Sequence, residues 1–474
     1  RMEDRTHKVF DPEDIARMKE VQLYREPLLE RRKRISDWRK KIEKQRNSDL
    51  KNLEFEWNQL MGVTGSADGY FNADSIPVRA GRGARQYNWL RIGGAFAMNS
   101  ITDIGRPVMV HGLHRTLRDA WVPLFTNLKG LRMVGKELRL ASAVLETTLD
   151  TRIRSMADLT DEFRPTSKFE RASTALANNF GIISLLSPWN HAMKTMAGLV
   201  QHTRIIEIAE KVATNKKVKK QDLTDLAQLN LDQSHLREIW EQVEKNGERV
   251  KGLWVSHTDK WDNTEIQEVF RNSLRKGVDT VIVTPGIGDR VPLLSTNMGK
   301  MIGQFKGFSL ASVNRTLIPG LQKRDMGVFN GMALSTAMGS MIYIMRQQIN
   351  NREIDWDTRT LIREGVDRSG NLAFFGDIHA LLDKLTRGVV SLYGGPQLSR
   401  YAGRNAVDAL LGPTLGGAYQ MSSLLGSAST GEWTQTDTSR SRRMLSHNNV
   451  FYASWLFDGI ENAANKSLNI SERR

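Results

Sequence analysis

From Met326 to Met345 the chain reads MGVFNGMALSTAMGSMIYIM, without a single charge. That is about twenty residues, the length of a membrane span. Gly327, Gly331, Ser335 and Gly339 fall at successive four-residue steps within it. On a helix they form one smooth ridge that lets a second helix approach closely, the small-xxx-small device used inside membranes. Asn330, Ser335, Thr336 and Ser340 keep the stretch only moderately apolar. Two readings stay open: a tightly packed buried helix or subunit interface, and a membrane-proximal helix. Two weaker stretches, Ala175 to Val200 and Ala406 to Ala428, share the character but are interrupted by Pro and Gly.

The rest of the chain is helical in pattern. An N-terminal helix is expected from Asp11 to Leu60, with Asp11 as N-cap, Pro12 in the first turn and acids beside the positive end of the dipole. Ile15, Met18, Val21, Leu28, Ile35, Trp38, Ile42 and Leu53 recur mostly at three-, four- or seven-residue steps, a narrow stripe ringed by charges. Pro27 is expected to kink or divide the helix. Residues 62–94 read as a Gly/Arg-rich connector, with RAGRGAR at Arg79–Arg85. Helical units are expected over 95–202, with breaks near Gly105–Pro107, Pro123, Gly130, Pro165 and Pro188, and again over 279–429. Between them, 203–278 forms a polar subdomain whose Leu223, Leu226, Leu229, Leu231, Leu236, Ile239, Trp240 and Val243 give a sharply amphipathic pattern. Asp279–Thr284 (DTVIVT) reads as a strand. From 297 to 320, Phe305, Phe308 and Val313 give an aromatic-aliphatic face, and 430–474 holds a mobile Ser/Thr/Arg-rich segment and a C-terminal helix. The fold class is therefore all-α: an elongated multi-helix assembly with long amphipathic helices and at most one or two short strands.

Charge narrows the partners. A formal net charge of +15 points to a polyanion: nucleic acid, anionic lipid or an acidic protein. The densest basic runs are Arg31, Arg32, Lys33 and Arg34, then Arg39, Lys40 and Lys41, then Arg79, Arg82 and Arg85 in the connector. These ten are the DNA-facing candidates, and a solvated helix face or plain linker is the alternative for each group. The absence of cysteine excludes disulfides, thiolate metal sites and a cysteine nucleophile. The chain opens on Arg1 with no signal-peptide apolar run, which reads as a piece of a longer polypeptide.

Catalytic patterns are missing. HExxH, GxSxG and GxxxxGK[ST] do not occur. Met298-Gly299-Lys300 has Leu294 where a phosphate loop needs its first glycine, and Gly286-Ile287-Gly288 lacks a third glycine. His111 and His114, and likewise His191 and His202, are spaced to share a helical face, but no third ligand completes a metal set. The expectation is no catalytic residue, no cofactor and no metal.

Several phrases recur together in a known setting. They are Ser187-Pro188-Trp189-Asn190, Gln304–Phe308 with Asn314-Arg315, and Gly320-Leu321-Gln322 ahead of Asp325. Further on come Arg368-Ser369-Gly370, Phe375-Gly376-Asp377, and Asn448–Tyr452 leading into Trp455–Phe457. In style and order these resemble the C-terminal regions of the large internal virion proteins of short-tailed bacteriophages, over most of residues 95–465. The resemblance implies a protein packaged inside the capsid near the portal, released at infection, and reassembled as an oligomeric conduit for DNA across the host envelope. Its implied partners are further copies in a ring, other ejection proteins, portal or tail components, double-stranded DNA bound without sequence preference, and the host inner membrane. Many such proteins carry a peptidoglycan-cleaving transglycosylase domain near the N-terminus; nothing here matches it, so that activity does not carry over. Two alternatives remain: a soluble DNA-binding or scaffolding module, and a non-catalytic part of a virion peptidoglycan-cleaving enzyme. Long helices built on local contacts also imply fast refolding after passage through a narrow tail.

Overall fold

The computed structural model describes residues 28–60, 75–141, 167–283, 296–305, 326–350, 352–370 and 406–468, with single positions between 307 and 386 and at 470. These are overwhelmingly α-helical, with one two-stranded sheet among them, so the fold is all-α. The chain forms two compact units, Arg1–Val63 and Thr64–Arg474. The second unit takes in the expected connector from Thr64 on and the segments 95–202, 203–278, 279–429 and 430–474.

In the first unit, α1 (Leu28–Leu60) begins one residue after Pro27, with Glu30 in its first turn where the dipole favours an acid. Asp11, Pro12 and the apolar positions before Leu28 lie outside the described residues. Ile35, Trp38 and Leu53 are exposed and Ile42 is half-buried.

The second unit opens with α2 (Ile76–Ile92), entered through Ser75 with Pro77 in the first turn, where a missing N–H leaves no broken bond. This corrects the connector: Arg79–Arg85 is helical. Gly81 and Gly83 each cost about 1 kcal/mol in a helix relative to Ala, and packing offsets them. The Trp89 ring is fully buried, edge-on to Phe180 at 5.4 Å, and its indole N–H donates to the Ala177 carbonyl at 3.1 Å.

A chain of short helices follows: α3 (Gly94–Asn99), a 3-10 turn (Ser100–Ile104) and α4 (Gly105–His111). Pro107 sits in the first turn of α4, so Gly105–Pro107 starts a helix; the break falls at Gly112, whose φ of 83° suits glycine. Then come α5 (Leu113–Thr116), a π turn (Leu117–Trp121), α6 (Val122–Thr126) and α7 (Leu128–Leu140). α8 (Lys168–Ile183) starts on a capping box, Ser167 with Glu170. After Leu185 in the left-handed region, α9 (Leu186–Ala213) runs through the centre. Its residues from Met193 to Ala209 are buried almost all round, as a central core helix must be.

α10 (Lys220–Ala227), α11 (Gln233–Asn246) and α12 (Thr264–Val281) pack around α9. Their core joins Leu226, Leu231, Leu236, Ile239 and Val243 to Ile205, Ile208, Phe270 and Leu274. Inserted here is a hairpin, β1 (Glu248–Val250) and β2 (Leu253–Val255), antiparallel with Val250 opposite Leu253. Its Lys251-Gly252 turn has φ of 47° and 87°, both positive as a tight hairpin requires. The strand expected at 279–284 is corrected: Asp279–Val281 end α12, and Ile282 and Val283 follow as a buried turn. Core packing decides the conformation of that β-branched run over its propensity. Thr284 lies outside the described residues.

The remainder comprises α13 (Asn297–Ile302), α14 (Met326–Ile349), α15 (Thr358–Arg368), α16 (Ala406–Thr430), α17 (Gln435–Met444) and α18 (Ser454–Ser467). α16 is kinked at Gly412, φ 72°, ahead of Pro413. The segment expected to be mobile, 430–443, is corrected: Thr434 and Asp437 form a capping box for α17, and Arg442 pairs with Asp458 and, at 2.8 Å, with Glu461 of α18. Phe308 and Val313 lie outside the described residues.

Candidate functional site

Two groups of residues carry the functional expectations, the small-residue ridge and the basic clusters, and the fold treats them differently. The ridge is a contact surface within this chain. Gly331, Ser335 and Gly339 of α14 are buried, and Gly327 is half-buried at its start. A methyl group added at Gly331 would lie 2.6 Å from the Met109 nitrogen and 2.7 Å from the Gly105 carbonyl of α4. One added at Gly105 would lie 2.6 Å from the Gly331 carbonyl. About two turns further along, Gly339 meets Gly365 of α15, whose own added methyl would lie 2.5 Å from the Thr336 carbonyl. The Ser335 hydroxyl donates to the Thr102 carbonyl at 3.2 Å, and that of Ser340 to the Leu361 carbonyl at 2.8 Å. Glycine faces glycine at both crossings, so the backbones touch. Sequence reasoning found the ridge but not Gly105 and Gly365, because each is a lone glycine whose partner is hundreds or tens of residues away.

The opposite side of α14 is open. Met326, Phe329, Ala333, Ala337, Met341 and Met345 recur at three- and four-residue steps and are exposed. Among the described residues α14 is the one helix long and apolar enough to cross a membrane by length and composition.

The basic clusters divide. Arg32, Lys33, Arg34, Arg39, Lys40 and Lys41 are exposed on α1, which also carries Arg31. Arg79, Arg82 and Arg85 do not form a basic tract. Arg79 pairs with Glu170 at 2.7 Å, the same acid that caps α8. Arg82 and Arg85 are buried, Arg85 to 1% exposure, and the Arg85 carbonyl accepts from Gln304 at 2.8 Å. Their expected DNA-facing role is corrected, since a guanidinium buried inside its own fold offers no face to a phosphate.

The histidine pairs also part. Gly112 breaks the helix between His111 and His114, so they share no helical face. His191 and His202 do lie on α9, and His202 is buried in a cluster that composition could not announce. Its Nε2 lies 3.0 Å from Ser256 Oγ and 3.2 Å from Glu137 Oε2. The Ser256 hydroxyl and amide donate to the same carboxylate at 2.7 and 3.2 Å, and the His257 amide donates to its other oxygen. Serine, histidine and acid meet here on one ring nitrogen. A nucleophilic relay needs the acid on the other nitrogen and an exposed hydroxyl, and Ser256 is fully buried. The cluster therefore ties α7, α9 and the hairpin together. Burial works against the Glu137 charge, but the hydrogen bond and charge of His202 and the Ser256 donors outweigh it and hold the carboxyl below its ordinary pKa.

Among the described residues no group of three His, Asp or Glu side chains is arranged to hold a metal. Gly286–Gly288 lie outside the described residues, and Lys300 is buried in α13. Compared with models of protein families, with curated proteins and with solved structures, the chain finds no match.

Proposed function

We propose that this chain is a structural component of a bacteriophage internal core, released at infection to build an oligomeric conduit for DNA across the host envelope. The observation that carries this is the distribution of its apolar surface. The Met/Phe face of α14 is exposed on one side while the other side is filled by α4 and α15. Tyr419, Met421 and Leu425 of α16 and Trp455, Leu456 and Ile460 of α18 are likewise exposed. Contiguous apolar faces on a folded chain mark surfaces that another body covers. Further copies closing through heterologous contacts would cover them and enclose a lumen. The exposed cations of α1 supply non-specific phosphate contacts of the kind a sliding duplex needs. No catalytic step is part of this role.

Electron microscopy and light scattering of the purified chain, with and without liposomes, test it. Rings or tubes under either condition are expected, and discrete monomers under both sink the conduit reading.

A further inference from the structure

Asn127 makes the corner between α6 and α7 rigid. Its φ of −141° and ψ of 55° interrupt the helical path, and its side-chain oxygen caps α7 by accepting from the Gly130 amide at 3.0 Å. Its side-chain nitrogen donates to the Val250 carbonyl at 2.6 Å, which pins the corner to the hairpin. On this fixed corner Phe125 stands 86% exposed, the most exposed large apolar side chain among the described residues. Val122 and Leu128, three residues to either side, are exposed as well.

From Leu128 onward the outer face of α7 is basic. At about 100° per residue, Leu128, Lys129, Arg132, Lys136 and Arg139 fall within an arc of roughly 100°, and all five are exposed. Gly130, Leu131, Val134, Glu137 and Leu138 take the other side and are buried. The helix's one acid is therefore turned inward, and nothing on the outer arc offsets the four cations. Lys251, at the tip of the hairpin, adds another beside the corner, its amine 3.5 Å from the Thr126 carbonyl.

A duplex would use the cations and leave Phe125, Val122 and Leu128 in water. A single strand could stack a base on Phe125 but would leave the aliphatic Val122 and Leu128 unused. A bilayer interface uses both, taking apolar side chains into the headgroup–acyl boundary while basic ones meet anionic headgroups. We infer that the α6–α7 corner is a docking surface for an anionic lipid bilayer, with Phe125 and Leu128 entering the interface and the α7 arc facing lipid phosphates. Such a surface can exist whether or not the chain closes into rings.

The test is sedimentation of the full chain with vesicles of phosphatidylcholine alone, and of phosphatidylcholine and phosphatidylglycerol in equal parts. Binding to the mixed vesicles, weakened by salt, is expected. F125S/L128S should lower affinity about tenfold or more, and K129E/R132E by at least about fivefold per charge removed, with both variants melting like the parent. Because the chain has no cysteine, F125C can carry a solvatochromic dye alone, and its emission should shift to the blue on mixed vesicles. An unshifted dye overturns the inference, as does equal binding of F125S/L128S and parent, or equal binding to both kinds of vesicle. A parent that ignores vesicles yet loses duplex DNA on K129E/R132E also overturns it, and assigns the arc to nucleic acid. Vesicle binding without rings leaves the surface standing while the conduit fails; rings without vesicle binding do the reverse.

Discussion

Glu137 shows how one buried acid can tie three elements. It accepts from Ser256 and from the His257 amide and touches His202, all away from water. Replacement by Gln keeps the shape but puts an N–H where these donors need an acceptor. E137Q should cost about 1–3 kcal/mol in urea denaturation near neutral pH. Because the folded carboxyl titrates below its ordinary range, its contribution is complete above the unfolded pKa and fades as pH falls through the folded one. Melting temperature should thus fall as the pH is lowered from about 5 into the acid range, and E137Q should flatten part of that fall. An acid limb unchanged in the variant would show that other carboxylates carry it. Asn127 is the second such residue: N127A removes the cap and the hairpin tether together, at about 1–2 kcal/mol for the cap alone. None of this was legible beforehand, since Glu137, His202 and Ser256 are far apart in sequence and each is an ordinary polar residue until the fold joins them.

At the scale of elements the sequence spoke most clearly where a helix has one wet face. Leu226, Leu236, Ile239 and Val243 were marked by spacing, and they are buried. It spoke poorly where glycines or β-branched residues are read locally. RAGRGAR has linker composition, yet Trp89 and its neighbours pull it into a helix; DTVIVT has strand composition, yet the core takes it as the end of one. The three-residue strands of the hairpin lacked an Asn-Gly turn to announce them, Lys251 standing where Asn would be expected. The ridge was visible, but its partners were not. G331A or G105A should each destabilise the chain by about 1–3 kcal/mol, because the added methyl meets backbone that cannot rotate away. Urea melts of dilute protein would check this, and a loss seen only at concentrations where copies associate would argue that the ridge serves assembly instead.

For the whole molecule, the three apolar cores found among the described residues draw only on the second unit. A fragment of residues 64–474 should therefore melt cooperatively, at a temperature close to that of the full chain. The exposed cations of α1 belong to the other unit. Duplex DNA retained by the full chain, with steep salt dependence, should be held more weakly by this fragment, and filter binding across a salt series would measure the difference. Equal slopes for both would move the DNA contacts into the second unit. The α6–α7 corner stays in the fragment, so vesicle binding should survive the deletion.

The packing around Trp89 has a consequence for how the chain comes off the ribosome. The His447 amide donates to the Leu90 carbonyl at 2.8 Å, Asn449 donates to that of Arg91 at 3.1 Å, and Val450 joins Trp89, Phe180 and Leu186. Local helices alone would imply early, independent folding, but α2 must wait for residues made some 350 positions later. Until then the indole lacks its lid, and a chain stopped just short of His447 should show red-shifted tryptophan emission. Residues some 350 positions apart thus complete one core between them, and neither side is finished until both are made.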